Sequence, residues 1–141
     1  MVNNHPLRRI EPSQCQIQVV GNRRRIVNGP VYHLPTAQGV AGVHGIRIVT
    51  EKAIDDQWTH DLWAADIIPF IQALLDEYFK NSERCETSKS LSKPPWETDC
   101  DGYAMKWNSV AKKQWNDGKE YYLKFGFGEH HPQCLIVSIH D

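Results

Sequence analysis

Four side chains of complementary chemistry stand near element boundaries in the second half of the chain: Lys80, Glu97, Tyr122 and His140. A cation, a carboxylate, a phenol and an imidazole match the needs of phosphodiester cleavage by internal transesterification. A base takes the proton of the 2′-hydroxyl, an acid protonates the leaving 5′-oxygen, and positive charge stabilises the phosphorane. In this reading Glu97 is the base, His140 the acid and Lys80 the electrostatic stabiliser, while Tyr122 hydrogen-bonds the phosphate. Each residue also has a plainer reading. Lys80 suits a helix C-terminus, where a cation complements the dipole. Glu97 suits a solvated loop, and His140 a frayed terminus. Strand alternation sends one ring of Tyr121-Tyr122 into the core and the other outward, and the pattern leaves open which.

A second cluster, His130, His131 and Cys134 with His140, is the metal-ligating candidate. Its spacing matches no zinc pattern, and adjacent histidines on a strand point to opposite faces. No metal and no cofactor are expected. No G-x-S-x-G elbow supports a serine nucleophile. The four cysteines, Cys15, Cys85, Cys100 and Cys134, contain no C-x-x-C pair and read as reduced packing residues.

The elements that position these residues read as α+β: an antiparallel sheet with one main helix packed against it. Residues 1–14 are polar and read as a loosely ordered arm. Cys15–Val20 alternates like a strand, Gly21-Asn22 turns the chain, and short strands follow near Val31–Leu34 and Ile46–Val49. Thr36–Gly45, with Gly39, Gly42 and Gly45, reads as a mobile loop rather than a dinucleotide fingerprint. A short helix is expected over Asp55–Ala65. The main helix is expected from Ile67 to Lys80, with Asp66 as N-cap and Pro69 at the third helical position. Residues 81–95 read as a surface loop. Tyr103–Asn108, Tyr121–Gly128 and Cys134–His140 read as strands, with Asn116-Asp117-Gly118-Lys119 as the turn between the first two.

At 141 residues the chain is sized for a single domain over 1–141. No apolar run reaches the roughly 18 residues of a membrane span, and the first residues lack the apolar stretch of a signal peptide. A cytoplasmic protein without membrane attachment is expected. The net charge of -1 excludes a uniformly basic nucleic-acid binder. It hides polarity, however. Residues 1–52 carry seven Lys/Arg against two Asp/Glu, residues 53–101 four against eleven, and residues 102–141 five against four. Arg23, Arg24 and Arg25 form a basic patch fit for a phosphate backbone, and Trp96 offers a ring for a base. These four are the candidate substrate-binding residues.

The second half resembles a known family. Tyr78-Phe79-Lys80-Asn81-Ser82, Trp96-Glu97-Thr98-Asp99, Tyr121-Tyr122-Leu123-Lys124 and Leu135-Ile136-Val137-Ser138-Ile139-His140 follow in the order of the MqsR messenger-RNA interferase toxins, of the RelE-like superfamily. The resemblance spans about residues 66–141. It implies a bacterial endoribonuclease of toxin–antitoxin type, with RNA as substrate and an antitoxin protein as partner. Carried over by position, Lys80 takes the place of the family's helix-end lysine and Tyr122 that of its strand tyrosine. Glu97 stands where the family has glutamine, and His140 where it has a closing lysine. The stretch between Trp96 and Tyr121 is longer than in the family, and the first 60 residues have no counterpart there.

Two other classes compete. A non-enzymatic binding module would hold a small molecule or a protein in an apolar pocket lined by Trp58, Trp63, Trp96, Trp107 and Trp115. An interaction or immunity factor would turn the acidic middle of the chain toward a basic partner.

Overall fold

The computed structural model describes residues 6–86, 97–128 and 132–141. Its spine is a mixed sheet of eight strands among the described residues: β1 (Ile17–Val20), β2 (Arg23–Ile26), β3 (Ile46–Ile48), β4 (Phe79–Glu86), β5 (Glu97–Asn108), β6 (Lys113–Gln114), β7 (Lys119–Phe127) and β8 (Cys134–His140). They lie in the order β1-β2-β4-β5-β7-β8-β3, with the short β6 paired to β5. All pairings are antiparallel except β3 with β8, where Ile46, Arg47 and Ile48 run beside Cys134, Leu135 and Ile136.

Three helices flank the sheet: α1 (Leu34–His44), α2 (Glu51–His60) and α3 (Ala64–Ala73). Alternation along β5 and β7 sends Tyr103, Met105, Trp107, Leu123 and Phe125 to one face, where they bury against Leu34, Ala37 and Ala41 of α1 and Ile67, Phe70 and Ile71 of α3. Tyr103 stacks on Phe125 at 5.8 Å, and Trp107 meets Phe70 edge-on at 5.3 Å. The Gln38 amide of α1 donates to the Ile71 and Leu74 carbonyls, both at 2.9 Å, and so supplies donors to the C-terminal end of α3.

The expectation of one main helix is corrected: three α-helices of similar length form among the described residues. The stretch expected as a helix from Ile67 to Lys80 divides. α3 stops at Ala73 because Leu74 is extended (ψ 145°), and after a 3-10 turn over Asp76–Tyr78 the chain enters β4. Phe79 pairs with Tyr103 in the sheet and meets its ring at 5.6 Å, so an apolar position that fitted a helix stripe is spent in a strand. Trp63 is the N-cap, and Asp66 is the third helical residue, accepting from the Trp63 amide at 3.1 Å. Pro69 lies inside the helix. The segment expected as a glycine loop is α1, because Leu34, Ala37 and Ala41 fall on one face and bury against α3. Asn81–Glu86, expected as loop, is strand. In place of a strand over Val31–Leu34, a single bridge joins Arg8 to Tyr32.

The described part of the N-terminal arm is pinned. The Arg9 amide donates to Val31 O at 2.6 Å. Arg8 reaches Asp99 at 2.6 Å on the core side of β5, where Arg84 also binds at 2.8 Å. Asp101, two residues on, accepts from the Val31 and Tyr32 amides and from Ser82 Oγ at 2.6–2.9 Å. No helix among the described residues is long and apolar enough to cross a membrane.

Candidate functional site

The sheet face opposite the α1–α3 core carries the polar groups. β7 and β8 are in register at Tyr122 and His140, and the two rings lie 5.3 Å apart. The alternation question is thereby answered: Tyr121 is buried on the core side, and Tyr122 faces outward. Tyr122 leans across β5 and donates its hydroxyl to Asn81 Oδ1 on β4 at 2.7 Å. This reach requires a glycine beneath it. A Cβ at Gly102 would overlap the Tyr122 hydroxyl and lie 2.6 Å from Asn81 Oδ1. Burial, with the charge of Glu83 beside it, pushes the Tyr122 phenol well above its ordinary value, so it is a hydrogen-bond donor rather than a phenolate.

Lys124 pairs with Gly102 across β5–β7 and lies on the same face. Its ammonium is 3.5 Å from Glu83 Oε1, and Arg23 of β2 approaches the same oxygen at 3.6 Å. Glu83 is buried, 6% exposed, so two cations converge on a carboxylate shielded from water. α2 supports the far side. Beyond its pairing with β3, β8 has an open edge, and there Thr50 Oγ1 donates to Val137 O at 2.7 Å while Asp56 Oδ2 accepts from the Ile139 amide at 3.1 Å. The residue before His140 is thus fixed by a helix side chain.

Lys80 sits at the irregularity in β4 between Phe79 and Asn81, exposed. β2 pairs with β4 at Arg24–Arg84 and Arg25–Glu83. Past that point the strands leave a cleft of about 240 Å³ that Arg25, Lys80 and Asn81 all line. Asn81 therefore links the Lys80–Arg25 cleft to the Tyr122–His140 pair.

The structure brings Tyr122 and His140 together, and Tyr122 reaches Asn81, the neighbour of Lys80. Lys80 itself lies on β4, three strand spacings or roughly 14 Å from β8, and Glu97 is apart from both. Glu97 lies five residues before Gly102 on β5, about 17 Å along the strand. By alternation it shares the face of Asp99 and Tyr103, and it is bound to Arg24 at 2.6 Å. The three arginines divide as well. Arg23 joins Glu83, Arg24 joins Glu86 and Glu97, and Arg25 lines the cleft with Lys80. Trp96, His130 and His131 lie outside the described residues. Among the described residues no group of three or more His, Cys, Asp or Glu is placed to hold a metal ion. Nor do the described tryptophans share a pocket: Trp107 is buried in the core, and Trp58 and Trp63 meet edge-on at 4.9 Å at the surface.

Sequence reasoning passed over Asn81, Glu83, Gly102 and Lys124. Asn81 follows Lys80 directly, and Lys124 stands two residues past Tyr122, the spacing that puts both on one strand face. Glu83 and Gly102 had no such signal, since their place depends on the β4–β5 and β5–β7 registers. Compared with protein-family models, with curated proteins and with solved structures, the chain finds no match.

Proposed function

We propose that the chain is a metal-independent ribonuclease of toxin–antitoxin type, cutting RNA by internal transesterification on the face that carries Tyr122 and His140. One observation supports this most: an imidazole and a phenol lie 5.3 Å apart, the phenol donates to the Asn81 amide, Lys124 is on the same face, and the cleft of Lys80 and Arg25 adjoins Asn81. Solvent water takes the proton of the 2′-hydroxyl as that oxygen attacks phosphorus, and His140 protonates the leaving 5′-oxygen as its bond to phosphorus breaks. Tyr122, by donating to Asn81 Oδ1, holds that amide so that its hydrogens orient a phosphate oxygen, and Lys80 and Lys124 stabilise the charge that builds on the phosphorane. Glu83 is the carboxylate whose charge reaches the Tyr122 hydroxyl, and it anchors Lys124 and Arg23. Arg25 extends the contact to a neighbouring phosphate. An antitoxin protein is the proposed partner. The outer edge of β1, where Ile17, Val19 and Val20 are exposed, suits addition of a partner strand.

The test is incubation of purified protein with mixed-sequence RNA in the presence of a chelator, with product ends analysed. Cleavage leaving 2′,3′-cyclic phosphate is expected, and His140→Ala should lower the rate roughly 10²–10⁴-fold. RNA left intact by the wild type, or cleavage by His140→Ala at the wild-type rate, would reject the proposal.

A further inference from the structure

The cleft of about 240 Å³ between β2 and β4 carries an unbalanced positive charge. Arg25 and Lys80 line it together with the Gln18 and Asn81 carboxamides, and among the described residues no carboxylate does. Nor is either cation held in an ion pair among the described residues. Glu83, the register partner of Arg25, already carries Arg23 and Lys124. The groove of about 760 Å³ beside α2 is the opposite case, since its cations Arg23, Arg24, Lys52 and Arg84 are all paired.

The floor of the cleft is fixed by close packing. Gly29 lines it, and a Cβ there would overlap Ser82 Oγ. Ser82 in turn donates to the buried Asp101 at 2.6 Å. Asn81 Oδ1 takes the Tyr122 hydroxyl, which leaves the Asn81 amide hydrogens as donors. Ile26, Val27 and Phe79 supply the apolar wall.

We propose that this cleft is a binding site for a phosphate monoester, the terminal phosphate of a nucleotide or of an RNA chain. A monoester carries about −1.5 to −2 charges at neutral pH and presents three strong acceptor oxygens. Arg25 and Lys80 match that charge, whereas an internal phosphodiester brings a single negative charge. The Arg25 fork takes two oxygens, Lys80 the third, and the Gln18 and Asn81 amides the remaining lone pairs. The cleft is smaller than the roughly 300 Å³ at which sites for drug-sized ligands begin, so it takes the phosphate and part of its sugar. It shares Lys80 and Asn81 with the proposed ribonuclease reaction, and a bound monoester therefore competes with RNA for Lys80.

The test is titration of the isotope-labelled full chain with inorganic phosphate, adenosine 5′-monophosphate, adenosine and dimethyl phosphate, followed by NMR shifts. Inorganic phosphate and the monophosphate should give saturable shifts at Gln18, Arg25, Gly29, Lys80 and Asn81. Adenosine should give none, and dimethyl phosphate should bind at least roughly fivefold more weakly. Arg25→Gln and Lys80→Gln should each weaken the monophosphate roughly tenfold. Both residues are exposed, so the variants keep the fold. Lys113→Gln, at an exposed cation on β6, should leave binding unchanged. A 5′-phosphorylated, 2′-O-methylated trinucleotide, which has no 2′-hydroxyl to attack, separates the two sources. Tighter binding than the mononucleotide assigns the site to an RNA end and no tighter binding assigns it to a free nucleotide; either supports the proposal. Shifts that do not saturate, dimethyl phosphate bound as tightly as phosphate, or an equal loss in Lys113→Gln would overturn it. The readout is binding, so the site stands if the wild type leaves RNA intact and falls alone if RNA is cut without it.

Discussion

Tyr122 reaches Asn81 only because the residue between them, Gly102, has no side chain: a Cβ there would collide with the Tyr122 hydroxyl. Gly102→Ala should therefore drive the ring out of place and cost about 1–3 kcal/mol, the range for overpacking. Tyr122→Ala removes the nearest obstacle and leaves the Asn81 amide, which is then free to turn aside, so the cost of Gly102→Ala should fall in that background. Denaturant unfolding of the four proteins in the cycle measures the coupling. Additive costs would show that Tyr122 does not lie over Gly102.

Asp99 ties the N-terminal arm to the sheet and should set part of the acid sensitivity. Burial pulls its carboxyl up, but hydrogen bonds from Arg84 and Arg8 and their charges outweigh this and hold it below its ordinary value. The folded state thus binds the proton less readily than the unfolded chain. The stabilisation is complete above the unfolded value near pH 4 and is lost as pH falls through the folded value. Asp99→Asn should lose roughly 3 kcal/mol at pH 7, since two partly buried arginines lose their shared anion. Its stability should also change less than that of the wild type between about pH 5 and pH 2. Melting curves across that range check both, and parallel pH profiles would contradict the arrangement.

Part of this was legible before the fold was known. The Cys134–His140 strand is read correctly to the residue, and the Tyr121–Gly128 strand differs by two residues at its start and one at its end. Their apolar runs and the Asn116–Lys119 turn carry local signals. α1 was not legible. Gly39, Gly42 and Gly45 argue for a loop, and the helix forms because Leu34, Ala37 and Ala41 bury against α3 while Gln38 binds its end. The same limit divides the site. Tyr122 beside His140 follows from two neighbouring strands. The separation of Glu97 from them depends on where β4, β5 and β2 register, which no local pattern states.

Asp56 places the end of β8. It accepts from the Ile139 amide, and Lys52 lies 3.2 Å away one helical turn earlier. Asp56→Ala should cost about 1–2 kcal/mol, mostly from leaving a buried amide without its acceptor. Amide exchange should speed up at Ile139 and His140 more than in the centre of β8. If those amides exchange as in the wild type, α2 does not hold the strand end.

The strongest contrast lies between two carboxylates. Glu97 is half exposed and paired with Arg24, an arrangement worth less than about 1 kcal/mol. Glu83 is buried between Lys124 and Arg23 on the face of Tyr122. Glu97→Gln should keep RNA cleavage within about twofold of the wild type, because no group on the Tyr122 face depends on it. Glu83→Gln should lower cleavage at least roughly tenfold, because Lys124 and Arg23 lose the anion that positions them. Both variants should be compared at equal folded fraction, with circular dichroism as the control. Loss of cleavage in Glu97→Gln with Glu83→Gln unaffected would move the chemistry to the other face of the sheet.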